Sequence, residues 1–208
     1  MASPGTGSER RPAVVQRRRI ERVKAILDAA EALLGEQGYE AATLKAIGER
    51  AGIPTASVYH YFRDRGEVET ELLQRHMVRL REQVTDRLGE RAPHSVRETV
   101  DMIVDPLLAY GRANPGFVQL WRQRSVTLRE LAREFDESLA ERTWRVLVKH
   151  RLIDADTPLY VLQYAFEAGD RFFDLAFQRS PSGDETTMTE ARRLVTAYLE
   201  TYAPADGD

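Results

Sequence analysis

The sequence predicts an all-α protein, a three-helix helix-turn-helix head followed by a C-terminal helical bundle, about nine helices altogether. Three observations carry that prediction. Apolar residues recur at three- and four-residue steps along most of the 208 residues, with no strand signal among them. Gly, Pro, Ser and Thr stand at the edges of the periodic runs, where helices start and stop. The stretch Thr43–Phe62 reads as two short helices joined by a tight glycine turn, the layout that braces one helix while the next enters a DNA major groove.

Residues 1–15 are small, polar and Pro/Gly-containing, lack the apolar centre of a signal peptide, and are expected to be a disordered tail. The first helix is expected over Arg17 to Glu36. Ile20, Val23, Leu27, Ala30 and Leu34 fall on one stripe, which Ile26 and Leu33 widen into a core-facing surface. Gly38 ends it, and Tyr39 is expected to pack beneath the reading unit.

In the central motif, Thr43 is an N-cap candidate. Leu44, Ile47 and Ala51 share a face, and Gly52 supplies a left-handed helix end. Ile53 plugs the space between the two crossed helices. Pro54 fits the first turn of the next helix, where a missing N–H leaves nothing unpaired. Val58 and Phe62 then face inward, leaving Thr55, Ala56, Ser57, Tyr59 and His60 to point outward or toward the helix start. Small residues there let the backbone approach the groove floor. Thr55 and Ser57 offer hydroxyls to base edges, and the methyls of Thr55 and Ala56 suit a thymine methyl. Tyr59 and His60 have the length to reach phosphates, and Arg63 and Arg65 add charge just beyond. Lys45 and Tyr61 complete the expected DNA-binding set of the motif. The same punctuation would serve a helical hairpin in any all-α bundle.

Residues 17–66 resemble the N-terminal domain of the tetracycline-repressor (TetR) family of bacterial transcription regulators. The resemblance rests on Ile26-Leu-Asp-Ala-Ala30, Gly38-Tyr39, Thr43, Ile47, Ala51-Gly-Ile53, Val58-Tyr59, Tyr61-Phe62 and Arg65. The family usually has a small residue, often Gly, where Ala56 stands and Lys where Arg65 stands, and often Ser or Thr where Pro54 stands. The last departure removes one hydroxyl contact at the start of the reading helix. The resemblance implies a DNA-binding domain over 16–66 and an effector-binding and dimerisation domain over 67–208. It also implies a homodimeric, ligand-responsive regulator, most often a repressor, on a palindromic double-stranded operator.

Charge is distributed unevenly along the chain. The total is −3, yet residues 1–66 hold 11 Lys/Arg against 8 Asp/Glu, and residues 67–208 hold 19 against 25. A basic head on an acidic body orients a protein toward a polyanion. The densest basic run, Arg17-Arg18-Arg19, continues to Arg22 and Lys24. It is either a solvated helix start or a phosphate or minor-groove contact. Positive charge disfavours a helix N-terminus, and beside the reading motif the DNA contact is the expectation.

The fourth helix is expected to start near Asp64, with Glu67 as capping-box partner, and to run to about Leu88 on Val68, Leu72, Leu73, Met77, Leu80 and Val84. Further helices are expected at Val96–Arg112 (kinked at Pro106), Phe117–Arg124, Leu128–His150, Thr157–Arg179 and Thr189–Tyr202, with a loop at Ser180–Asp184 before the last. The resemblance implies that the bundle holds a pocket for a small-molecule effector, whose identity the sequence does not name. Met102, Leu107, Tyr110, Phe117, Trp121, Trp144, Tyr164 and Phe166 are the pocket candidates, with ordinary core packing as the alternative for each. The last two helices carry the expected homodimer interface: Phe172, Phe173, Ala176, Phe177, Leu194, Val195, Tyr198 and Leu199.

Glu167, Asp170 and Asp174 share a helix face that could bind a metal, but Arg171 and Arg179 can pair with them. None of His60, His76, His94 or His150 has metal-ligand spacing. No phosphate loop, nucleophile elbow or thiol is present, so no catalytic residue, metal or cofactor is expected. There is no run of about 18 apolar residues to span a membrane, and zero cysteines fit a cytoplasmic protein. The rival functional class is a helical small-molecule carrier or partner-binding protein without operator recognition.

Overall fold

The computed structural model describes the backbone of residues 10–123 and 125–204, and the side chains of residues 16–123 and 125–204. The first nine residues of the expected tail lie outside the described residues. Nine α-helices and one 3-10 turn make up the described chain, and no strand occurs among the described residues. They are α1 (Arg10–Gln37), a 3-10 turn (Tyr39–Ala41), α2 (Leu44–Ala51), α3 (Thr55–Tyr61), α4 (Arg65–Glu90), α5 (Val96–Ala113), α6 (Pro115–Trp121), α7 (Val126–Lys149), α8 (Leu159–Arg179) and α9 (Glu185–Glu200). The chain divides into two compact units, Met1–Leu72 and Leu73–Asp208.

The first unit folds around Ile26, Leu27, Ala30, Leu33 and Leu34 of α1, with Ile47, Ile53, Val58, Phe62, Val68 and Leu72 completing its core. Each helix end follows from its residues. The Thr43 side chain accepts the Ala46 N–H at 3.2 Å and starts α2. Gly52, at φ 65°, ends α2 in the left-handed conformation. Pro54 sits one position earlier than expected, at the N-cap of α3, where its carbonyl accepts the N–H groups of Ser57 and Val58. Gly48 allows α2 and α3 to meet: a Cβ there would lie 2.9 Å from the Ile53 carbonyl oxygen and 3.1 Å from a Val58 methyl.

Two corrections concern α1. It begins at Arg10 rather than Arg17, so residues 10–15 of the expected tail are helical. Ile20, expected on the core stripe, is 61% exposed, because the core of this unit begins only at Ile26.

The caps of α4 and α5 repeat one device. The Glu67 N–H donates to Asp64 while the Glu67 carboxylate accepts from the Arg63 N–H at 2.7 Å. The Glu98 N–H donates to Ser95, and the Glu98 carboxylate accepts from the His94 N–H at 2.7 Å.

In the second unit α8 packs on α7 and α9, and α5 lies against α9. The core includes Val100, Ala140, Leu147, Val161, Leu162, Ala165 and Leu199. Arg192 of α9 fixes α5 by ion pairs to Asp101, at 2.9 Å, and Asp105. Pro106 lies inside α5, which runs on to Ala113. Gly111 is required by close packing, since a Cβ there would lie 2.6 Å from the Phe177 ring. Helices α7 and α9 start earlier than their apolar patterns suggest. Ser125 and Asp184 cap them, accepting the N–H groups of Leu128 and Thr187.

Candidate nucleic-acid interface and ligand cavity

Helix α3 is anchored by buried Val58 and flanked by buried Ile53 and Phe62. Its remaining face is open. Pro54, Ala56, Tyr59 and His60 are exposed, whereas Thr55, Ser57 and Tyr61 are partly exposed. Tyr59, 55% exposed, has no apolar role that would hold it there. Two small hydroxyl residues, a methyl and a phenol therefore share the open face of one short helix, the chemistry that base edges and phosphates accept. Thr43 is exposed beside it, its oxygen engaged by the Ala46 N–H, and exposed Lys45 stands 3.9 Å from Glu49. Arg17, Arg18 and Arg19 are exposed on α1, with Arg17 paired to Glu21 at 2.9 Å.

Arg65 departs from expectation. Its Nε donates to Glu69 at 2.6 Å, its Nη2 donates to the Tyr39 carbonyl at 2.5 Å, and its guanidinium lies 3.7 Å from the Tyr39 ring centre. With three contacts to two residues inside the unit and a half-buried side chain, it ties the start of α4 to the turn after α1. Arg63 is exposed but also paired, with the Glu67 carboxylate at 2.5 Å.

The body contains a largely apolar cavity of about 80 Å³ between α5, α6, α7, α8 and α9. Of the expected pocket residues, Leu107, Trp121 and Phe166 line it. Met102, Tyr110 and Phe117 are buried without lining it. The Tyr110 hydroxyl is 2.7 Å from His76 Nδ1, and the Phe117 ring packs against both. Trp144 donates its indole N–H to the Thr157 carbonyl at 2.7 Å. Tyr164 is 62% exposed, on the opposite face of α8.

The expected interface residues divide as well. Phe173, Val195 and Leu199 line the cavity, while Ala176 and Phe177 are buried in the core. Phe172 and Tyr198 are partly exposed and Leu194 is exposed. An outward apolar surface does exist on these helices, formed by Tyr160, Tyr164 and Leu194 with Tyr198 and Tyr202. The Tyr160–Tyr164 rings meet at a tilt and the Tyr198–Tyr202 rings edge to face, with centroids 5.6 and 5.7 Å apart. Burial, then the hydroxyl of Tyr202 and the neighbouring phenols, push the Tyr198 hydroxyl up to about 12.

The α8 carboxylates are not equivalent. Asp174 is buried and paired with Arg171 at 2.5 Å and Arg122 at 3.4 Å. Asp170 accepts the Trp121 indole N–H and lines the cavity. Sequence reading passed over Asp136 and Thr143 of α7, which also line it. Their seven-residue spacing put both on one helix face, but nothing in the sequence marked that face as a cavity wall. Burial pushes the Asp136 carboxyl well above the ordinary carboxylate range, with Asp170, Glu167 and Glu137 adding to the effect. Among the described residues, no group of three or more His, Asp or Glu could hold a metal ion.

Two family models match this chain: that of the bacterial regulatory proteins of the tetR family over residues 26–68, and the tetracyclin repressor-like C-terminal domain over 95–199. A TetR-family transcriptional regulator from Streptomyces coelicolor is 34% identical, with 87% of this chain and 99% of that one covered and a TM-score of 0.67. The chain belongs to the TetR family of transcriptional regulators. The repressor KstR of Rhodococcus jostii is 38% identical over 73 residues, covering 35% of this chain; the chain spans 32% of that protein's length. FadR from Bacillus subtilis, solved in complex with stearoyl-CoA, shares the fold at a TM-score of 0.68 and 16% identity, over 85% of this chain and 98% of that one. No helix among the described residues is long and apolar enough to cross a membrane.

Proposed function

We propose that this TetR-family regulator acts as a homodimeric repressor that places α3 of each subunit in successive major-groove faces of a palindromic operator. The observation that carries this reading is the open face of α3: Thr55, Ala56, Ser57, Tyr59 and His60 along one short helix anchored by Val58. Thr55, Ala56 and Ser57 read bases. Tyr59, His60, Thr43, Lys45 and the Arg17–Arg19 run hold phosphates.

The two-fold axis comes from a second copy packed on the outward faces of α8 and α9. Exposed aromatic and aliphatic side chains at Tyr160, Tyr164 and Leu194 support it. Half-site spacing then places the two reading helices about 34–36 Å apart.

The cavity is the effector site. KstR is named a repressor and FadR binds stearoyl-CoA, which supports a ligand-controlled reading for this relative. A hundredfold loss of operator affinity needs about 2.7 kcal/mol of differential ligand binding between two conformations, well within reach of a buried ligand.

Mobility shift with the DNA upstream of the protein's own gene tests the proposal. A discrete complex with the dimer, resistant to competition by random duplex, is the expected result. A folded dimer that binds no such fragment at low salt would favour a carrier or partner-binding role instead.

A further inference from the structure

We propose that the cavity takes a lipophilic organic cation, an alkyl- or aryl-ammonium, with Asp136 as its counter-charge and Thr143 as a second polar anchor. The proposal rests on reading this cavity as the effector site and names the class of effector.

An isolated carboxylate is costly to enclose unless something pairs with it. Asp136 keeps some exposed surface, as a residue on a cavity wall does, yet burial is the largest force on its carboxyl group. It has no hydrogen-bond or ion-pair partner among the described residues. The charges that act on it are Asp170, Glu167 and Glu137, all acids. Asp136 and Asp170 both line the cavity, and Asp136 is held toward its neutral form there in the absence of a cation to offset its charge.

Thr143 gives an independent sign of an occupant. It lies seven residues further along α7, hence on the same face two turns away. It is 2% exposed, lines the cavity, and its hydroxyl has no hydrogen-bond partner. Buried hydroxyls are normally satisfied, so a ligand atom or a water carried with it fits this position.

The rest of the wall sets the chemistry. Trp121, Phe135, Phe166 and Phe173 line the cavity, and aromatic faces attract cations. Phe135 already has the Arg81 guanidinium 5.7 Å from its ring centre. An anionic ligand would meet acidic side chains at this wall, and a neutral alkyl ligand would leave Asp136 protonated, whereas a cation favours its ionised form. The space of about 80 Å³ is smaller than the ~150 Å³ that accepts benzene. A ligand of more than a few heavy atoms therefore extends beyond this space or widens it, and widening couples its binding energy to a change in the bundle.

The test uses the full-length protein with octyltrimethylammonium, 1-octanol and octanoate, read by calorimetry and by tryptophan fluorescence, since Trp121 is on the wall. The ammonium should bind at least tenfold more tightly than the alcohol, and octanoate most weakly. Asp136→Asn should abolish the cation's advantage without changing the alcohol's affinity. Glu167→Gln, further from the enclosed space, should reduce it less. Equal affinity for cation and alcohol, no binding of any of the three, or a tenfold preference that survives Asp136→Asn would overturn the proposal. Operator release is measured in parallel. Asp136-dependent cation binding without release would leave the site standing and contradict the ligand switch. Release by an uncharged or anionic compound alone would keep the switch and overturn the cation site.

Discussion

The guanidinium of Arg65 lies 3.7 Å from the centre of the Tyr39 ring, and its Nη2 donates to the Tyr39 carbonyl. This pair closes the first unit, joining the entry of α4 to the turn that follows α1. Lysine would keep the charge but lose the planar fork and the stacking. Arg65→Lys should therefore cost about 1–2 kcal/mol in urea unfolding. The slope of log affinity against log salt for DNA should stay the same in the folded variant. A fall in that slope of about one would return Arg65 to the phosphate contacts.

Gly48 controls how closely α2 and α3 approach. A methyl there meets the Ile53 carbonyl oxygen at 2.9 Å, and backbone cannot give way as a side chain does. Gly48→Ala should destabilise the head by roughly 1–3 kcal/mol and shift α3. Thermal unfolding together with DNA affinity checks this, and a variant equal to wild type in both would show that the approach tolerates a side chain.

Asp136 holds its proton more tightly in the folded chain than in the unfolded one, because burial and neighbouring acids raise its folded pKa. The folded state then loses stability as pH rises from the unfolded value near ~4 up through the raised folded value. Asp136→Asn should melt a few degrees higher than wild type at pH 7, and the difference should close as pH falls below ~4. An unchanged or lower melting temperature at pH 7 would mean that the carboxylate is compensated in the native state.

Tyr164 and Leu194 stand exposed on α8 and α9. If a second copy covers them, Tyr164→Arg and Leu194→Arg should each shift sedimentation from dimer toward monomer at micromolar concentration. Phe173→Leu, altering a cavity residue, should leave the dimer intact. Dimers unaffected by both arginine variants would place the interface elsewhere.

The head was the more legible part of the sequence, because its boundaries depend on local chemistry. Thr43, Gly52 and Asp64 act within three or four residues of themselves, so position and residue type together locate the helix ends. The body was less legible because α8 is apolar on two sides. Leu162, Phe166 and Phe173 face the cavity, while Tyr160 and Tyr164 face out, and helical spacing interleaves the two sets within single turns. Periodicity identifies such a helix without saying which stripe meets which neighbour. Asp136 was invisible for a related reason: a carboxylate on an amphipathic helix reads as solvated until the packing around it is known. The contacts of Arg65 were hidden for another reason: one partner, the Tyr39 carbonyl, stands 26 residues away.

The central claim is that the start of α3 reads bases, and fluorescence anisotropy on a panel of single-base operator variants tests it most directly. Ser57→Ala and Thr55→Ala should each lose on the order of 1–3 kcal/mol at particular base positions and nothing at others. Tyr59→Phe should weaken operator and random duplex alike. If Ser57→Ala and Thr55→Ala both bind every operator variant as wild type does, α3 is not the reading helix.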